Sequence, residues 1–368
     1  MKILSILGTR PEAIKMAPVI KELEKFPQEL ASVICVTGQH RQMLDQVLQL
    51  FDIHPHLDLN LMQPDQRLAT LTARLFEELD RVVEQVRPEW ILAQGDTTTV
   101  FVAAVTAYYH NVRFGHVEAG LRTLDKRRPF PEEMNRRLAD AATDAFFAPT
   151  ERARQALLRE GFEDTAIHVT GNTIVDALLE ISRRPFEWQG SPLSAIPQNE
   201  RMVLITAHRR ESFGEPFREL CQAIRELAAR FAATRFIYPV HLNPNVRRPV
   251  GDILSGLKNV HLIEPLDYSA LVHLMKRSTL ILTDSGGIQE EAPTFGVPVL
   301  VMRDTTERPE GVEAGIAKLV GTRRQSIVAA ASKVLSEEQV KANKKSMVNP
   351  YGDGLAAQRI VEFLRNSG

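Results

Sequence analysis

The run Asp284-Ser285-Gly286-Gly287-Ile288-Gln289-Glu290-Glu291 follows the apolar stretch Leu280-Ile281-Leu282-Thr283. A buried strand, a Gly-Gly turn and a helix start make a seat for an anion. Unpaired backbone N–H groups point outward there, and the helix dipole adds positive potential. Glu291 falls about one helical turn beyond the glycines. A carboxylate at that offset can accept both hydroxyls of a ribose cis-diol. The segment points to a nucleoside diphosphate, with phosphates on the loop and ribose on the glutamate.

Other polar groups follow apolar runs in the same way. Gly8-Thr9-Arg10-Pro11-Glu12 opens a helix, with Thr9 able to cap it and Pro11 suited to its first turn. Arg10 opposes the helix dipole unless an anion binds beside it; otherwise it is an exposed arginine with its head in water. Asp96, in Gln94-Gly95-Asp96-Thr97, is either a helix N-cap or a carboxylate aimed at a ligand. Glu118, in His116-Val117-Glu118-Ala119-Gly120-Leu121-Arg122, is either a functional acid or the buried partner of Arg122. Glu132 and Glu133 follow Pro131, where helix-dipole compensation is a sufficient structural account. His208-Arg209-Arg210 after Met202–Thr206 is either a second diphosphate contact or a solvated charge run, and His241 follows a further apolar run.

The elements that must position these groups alternate along the chain. Strand expectations are Ile3–Leu7, Ser32–Thr37, Trp90–Ala93, Arg113–Val117, Ala145–Ala148 and Ala166–Thr170. A second series is Met202–Thr206, Phe236–Val240, Val260–Ile263, Leu280–Thr283 and Val297–Val301. Between them Met16, Ile20 and Leu23 fall on one helical face, as do Leu68, Leu71 and Leu75, then Leu79, Val82 and Val86. Apolar strands alternating with amphipathic helices predict α/β architecture: two Rossmann-like parallel-sheet domains with a cleft between them. Ligands in such sheets sit outside the carboxyl ends of the strands. Pro185, Pro192 and Pro197 punctuate 182–200, the clearest break in the chain.

Bulk properties narrow the function. The 368 residues suit two domains, and 44% hydrophobic with 25% charged residues is ordinary for a soluble globular protein. A net charge of -1 gives no global field for nucleic acid or an anionic membrane, so anion binding must be local. No apolar stretch is long enough to span a bilayer, and the N-terminal run reads as a first strand rather than a signal. Cys35 and Cys221 lack metal spacing and fit a reducing cytoplasm. There is no Gly-x-Gly-x-x-Gly after the first strand, no P-loop and no nucleophile elbow, so neither a dinucleotide cofactor nor a metal is expected.

Together these segments resemble the non-hydrolysing UDP-N-acetylglucosamine 2-epimerases. The likeness runs through Gly8–Pro18, Thr37-Gly38-Gln39-His40, Gln94–Thr97, His116–Thr123 and Pro129–Arg136. It continues in Thr206–Glu211, Asp284–Ala292 and Arg303 with Thr306–Glu310, and so covers essentially the whole chain. The glycine loop is the less specific part, because glycosyltransferases of the same architecture have comparable loops. Ser212-Phe213 departs from the asparagine many relatives carry after the glutamate, and touches no proposed catalytic residue.

The resemblance implies a GT-B-type fold and a cytoplasmic homodimer. Domain 1 would span 1–170 and carry the sugar-facing carboxylates, with 354–368 crossing back onto it; domain 2 would span 171–353 and bind UDP. It implies reversible conversion of UDP-GlcNAc to UDP-ManNAc for cell-surface polysaccharide, without cofactor. On matching positions Asp96, Glu118, Glu132 and His208 would be catalytic. Arg10, Lys15, Arg136, Leu266, Tyr268, Ser285, Gly286, Gly287 and Glu291 would bind substrate, with Leu266 and Tyr268 bordering the uracil. Gln39, Gln42, Arg67, Arg209 and His241 would hold a second, activating UDP-GlcNAc. A glycosyltransferase, a hydrolysing epimerase and a non-catalytic sugar-nucleotide sensor are the alternatives.

Overall fold

The computed structural model describes residues 1–38, 41–61, 66–336 and 349–368, with the side chains of 41–43 outside that set. The chain divides into two compact units, residues 1–177 with 351–368, and residues 178–350.

The first unit alternates strand and helix without exception. Its elements are β1 (Lys2–Leu7), α1 (Arg10–Leu23), β2 (Ala31–Val36), α2 (Arg41–Leu50), β3 (Leu57–Asp58), α3 (Leu68–Val86), β4 (Trp90–Gln94) and α4 (Thr98–Tyr109). They continue with β5 (Arg113–Val117), α5 (Glu132–Asp140), β6 (Ala145–Ala148), α6 (Glu151–Arg159), β7 (Ile167–Val169) and α7 (Thr173–Arg183), the last of which runs past the unit boundary. The strands form a seven-stranded parallel sheet in the order β3-β2-β1-β4-β5-β6-β7. Burial on both faces explains the unbroken apolar runs. On one side Leu4, Ile6, Ile91 and Ala93 pack with Leu75, Leu79, Val82 and Val102.

The second unit repeats the scheme. It contains β8 (Arg201–Thr206), α8 (Glu215–Arg230), β9 (Thr234–Pro239), α9 (Pro244–Leu254), β10 (Val260–Ile263), α10 (Tyr268–Arg277) and β11 (Leu280–Thr283). α11 (Gly286–Glu291), β12 (Val299–Val301), α12 (Pro309–Glu313), β13 (Ala317–Leu319) and α13 (Arg324–Ser336) complete it. Its six strands are parallel in the order β10-β9-β8-β11-β12-β13. The last helix, α14 (Ala356–Asn366), belongs to the first unit. Phe363 of α14 packs edge-on to Trp90 and Phe147 and against His168. Arg113 donates to the Ser367 carbonyl at 2.8 Å, and Arg365 pairs with Glu29 at 2.8 Å.

Two strands escape the sequence reading. β3 is two residues long and β13 three, too short for a period to register. Leu68, expected on the buried face of α3, is instead exposed at the first residue of that helix. Among the described residues no helix is long and apolar enough to cross a membrane.

Each sheet has one topological switch point, where chain order reverses: between β1 and β4, and between β8 and β11. Ligands of open parallel sheets bind at the carboxyl ends of such strands. Arg10 and Asp96 follow β1 and β4, and His208 and Ser285 follow β8 and β11.

Candidate active site

In the first unit three segments converge on one carboxylate. Glu118 directly follows β5 in the left-handed region, at φ 67°. That backbone costs a glutamate about 1–3 kcal/mol and persists only where the surroundings fix it. The surroundings do so. Lys15 on α1 donates to both carboxylate oxygens, at 2.6 and 2.8 Å. Asn172, after β7, donates to Oε1 at 2.8 Å, and Gln94, ending β4, donates to Oε2. Glu118 is 7% exposed, so this is a buried carboxyl group whose oxygens are met by a cation and two amides. Arg122, the partner that sequence spacing offered, instead binds Asp140 at 2.6 Å and Glu160 at 2.7 Å.

Asp96 follows Gly95, whose backbone approaches Glu118. Gly95 has φ 90°, and a Cβ there would stand 3.9 Å from Glu118 Oε2. The Gly95 carbonyl accepts a hydrogen bond of 2.7 Å from His116 Nε2. The other ring nitrogen of His116 meets Asp140 at 2.6 Å, with both side chains fully buried. Burial alone would lower the His116 pKa, but the charge and hydrogen bond of Asp140 outweigh it and raise the value above the ordinary imidazole range. The N-cap of α4 is Thr97, which accepts from the Val100 N–H at 3.4 Å, so the capping role does not fall to Asp96. Asp96 is held by α5 instead: Arg136 donates to its Oδ2 at 2.6 Å, and Asn135 donates to its carbonyl at 3.0 Å.

Glu132 and Glu133 separate in kind. Glu133 is fully buried and pairs with Arg136 at 2.9 Å and Arg137 at 3.2 Å, while accepting from the Thr123 N–H. Glu132, the first residue of α5, has a buried Oε2 with no hydrogen-bond partner among the described residues. A buried acceptor left open costs about 1–3 kcal/mol. Arg10 is the first residue of α1, half-buried, with no ion pair to any described residue. Glu12 stitches the neighbouring loops together. Its carboxylate accepts from the Gly8 N–H at 2.7 Å and the Thr9 N–H at 2.5 Å on one oxygen, and from the Thr97 hydroxyl on the other. Burial drives its pKa from 4.5 up to about 7 against those hydrogen bonds.

In the second unit Asp284 organises the end of β8. It is fully buried, and its Oδ2 accepts from the backbone N–H groups of His208 at 2.7 Å and Arg209 at 2.8 Å. His208 Nδ1 stands 3.9 Å from Asp284 Oδ1, and its ring stacks on His241 at 5.1 Å and 12°. Burial lowers the His208 pKa; Asp284 opposes that, and His241 and Arg209 add to it. Gly286 and Gly287 are the first two residues of α11 with Ser285 as N-cap, and neither is left-handed. The expected Gly-Gly turn is therefore a bare first helical turn. Arg209 is the nearest group there, 3.6 Å from where a Gly286 Cβ would stand. Glu291 is buried at the far end of α11 and accepts from the Tyr268 phenol at 2.9 Å, with Leu266 buried two residues before Tyr268.

Of the remaining expected residues, Arg67 is exposed at the N-cap of α3. Gln39 and the side chain of Gln42 lie outside the described residues. Sequence reasoning missed Gln94, Asn172 and Glu12 as the groups that hold this site. Asn172 carried a signal nonetheless, since it follows a strand and a glycine as Asp96 does.

A family model for UDP-N-acetylglucosamine 2-epimerase matches residues 21–365. The chain belongs to that family. A UDP-N-acetylglucosamine 2-epimerase of Escherichia coli O157:H7 is 50% identical over 373 residues, covering 100% of this chain and 99% of the relative. Among solved structures, a Listeria monocytogenes protein described as a UDP-N-acetylglucosamine 2-epimerase superposes with TM-score 0.92 at 45% identity, covering 100% and 96% of the two chains. The Neisseria meningitidis UDP-GlcNAc 2-epimerase, solved bound to UDP-GlcNAc, superposes with TM-score 0.89 at 46% identity over 100% of both chains.

Proposed function

We propose that this protein interconverts UDP-N-acetylglucosamine and UDP-N-acetylmannosamine by eliminating and re-adding UDP. The C2–H bond of an N-acetylhexosamine is not acidic, so direct deprotonation is hard. In the elimination the C1–O bond breaks with its electron pair passing to the β-phosphate of UDP. A base takes the C2 proton, and C1=C2 forms, giving 2-acetamidoglucal. Re-addition returns UDP to C1 and delivers a proton to the opposite face of C2. No redox step occurs.

One observation carries this reading: the acidic groups of the first unit sit in unlike environments. Asp96 is bound by Arg136 at 2.6 Å, whereas Glu132 keeps a buried oxygen without a described partner; Glu118 is held by Lys15, Gln94 and Asn172. Chemistry on two faces of C2 calls for two acid/base groups in different protonation states. Asp96 and Glu132 fill those roles, with Glu118 assisting or orienting. Arg10, Lys15 and Arg136 bind substrate in the same unit. In the second unit His208, Ser285, Gly286 and Gly287 take the departing diphosphate, Glu291 the ribose, and Leu266 with Tyr268 the uracil. One donor on such developing charge is worth about 3–4 kcal/mol. The working form is a cytoplasmic homodimer supplying ManNAc units for cell-surface polysaccharide.

Incubation with UDP-GlcNAc in D2O, without acceptor and followed by proton NMR, tests the reading. UDP-ManNAc carrying deuterium at C2 is the expected product. Free ManNAc would make the protein a hydrolysing enzyme, and an unchanged sugar would make it a transferase or a sensor.

A second UDP-GlcNAc acts as activator in this reading, through Gln39, Gln42, Arg67, Arg209 and His241. The stacking of His241 on His208, and the approach of Arg209 to Gly286, favour it. UDP-ManNAc supplied alone then reacts after a lag that UDP-GlcNAc abolishes; full rate from the first turnover would remove the second site.

A further inference from the structure

Asn172 is fully committed within the first unit. It is 2% exposed, and its N–H donates to the Tyr351 carbonyl at 2.7 Å. Gly171 and Gly352 allow this pairing: a Cβ on Gly171, at φ 89°, would stand 3.3 Å from Gly352 Cα. The Asn172 side chain then divides its work. Its Oδ1 accepts from the Ile174 N–H at 3.1 Å, in the turn that opens α7, and its Nδ2 donates to Glu118 Oε1 at 2.8 Å. The Ile174 donor fixes which end of the amide is oxygen, so the NH2 group is the end that faces Glu118. Two segments far apart in sequence thus lock the backbone from which one donor is aimed at a carboxylate in a left-handed, otherwise unfavourable conformation.

We propose that Asn172 is a positioning residue for the epimerisation: with Lys15 and Gln94, it sets the direction of the Glu118 carboxylate against the sugar. The inference rests on the reading of Glu118 as part of the reaction site. Two donors on Oε1, from Lys15 and Asn172, leave that oxygen little freedom. Losing the Asn172 donor removes one of the two restraints on Oε1, while Lys15 and Gln94 still hold Oε2, so the carboxylate plane shifts toward them. Misplacement of a reacting group by about 1 Å is enough to cost up to about 100-fold in rate.

Asn172→Asp tests this task. An aspartate keeps the acceptor for the Ile174 N–H and the backbone pairing with Tyr351, but replaces the donor on Glu118 by a second carboxylate oxygen, so the lost hydrogen bond and like-charge repulsion both turn Glu118 away. The expected result is a fall in kcat of about tenfold or more with KM for UDP-GlcNAc within about twofold. Deuterium incorporation at C2 over long incubations gives the rates of Asn172→Asp, Glu118→Gln and the double variant. If Asn172 acts through Glu118, the double variant turns over like Glu118→Gln alone. Wild-type kcat in Asn172→Asp beside an impaired Glu118→Gln would overturn this inference only. The same holds if the full Asn172→Asp loss recurs on top of Glu118→Gln, because the role would then be merely structural. Wild-type turnover in Glu118→Gln would instead remove Glu118 from the reaction, and this inference with it.

Discussion

The phenol of Tyr268 donates a 2.9 Å hydrogen bond to Glu291 Oε1, and both side chains are buried. Two residues that separate sequence arguments assigned to uracil and ribose therefore share one hydrogen bond. The phenol thus fixes one oxygen of the Glu291 carboxylate.

Tyr268→Phe should weaken UDP binding about tenfold, since a hydrogen bond to a charged group is worth about 1.5–3 kcal/mol. Titration calorimetry with UDP reads this directly. An unchanged Kd would mean that the phenol does not orient Glu291 for the ribose.

Glu132→Gln should leave the calorimetric Kd for UDP within about twofold and lower kcat by about 100-fold to 10,000-fold, the range for loss of an acid/base group. Asp96→Asn should lower kcat as well, and it also weakens the pairing with Arg136 on α5. Near-normal turnover in Asp96→Asn, Glu118→Gln and Glu132→Gln alike would end the acid/base assignment.

Glu12 makes a prediction with a definite sign. Its carboxyl has a native pKa of about 7 against an ordinary 4.5. Between those values the native state holds the proton and the unfolded chain does not, so stability falls as pH rises through that window, by on the order of 3 kcal/mol. Glu12→Gln removes the titration while keeping an acceptor for the Gly8 and Thr9 N–H groups. The shift in urea midpoint between pH 5 and pH 8 should be smaller in the variant than in the wild type. Equal shifts would show that Glu12 does not titrate there.

His116→Phe should cost about 3–5 kcal/mol, because Asp140 stays buried beside Arg122 with one partner gone. The Gly95 carbonyl loses its donor as well. A thermal midpoint within a degree of wild type would contradict this.

Much of this was legible in the sequence, for a physical reason. Strands buried on both faces write themselves as apolar runs, and residues such as Asp96 and Glu118 stand out because they break those runs at their carboxyl ends. What stayed hidden depends on pairing across distance. Glu118 is 103 positions from Lys15 and 54 from Asn172, so spacing favoured the nearby Arg122. Capping stayed open locally: Asp96 and Thr97 are both good caps, and the structure gives the cap to Thr97 while Arg136 holds Asp96. The Gly286-Gly287 pair was read as a turn, since glycine disfavours helices; its smallness at a helix opening is invisible to propensity.

The return of α14 to the first sheet also sets an order of events during synthesis. Domains generally fold as units as they emerge, amino-terminal part first. Here the second unit, 178–350, is complete before residues 351–368 exist. The first unit must wait: Trp90, Phe147 and His168 have no Phe363 to pack against, and Asn172 has no Tyr351 carbonyl, until its carboxyl-terminal part is made. The half that carries the three carboxylates is begun first and finished last.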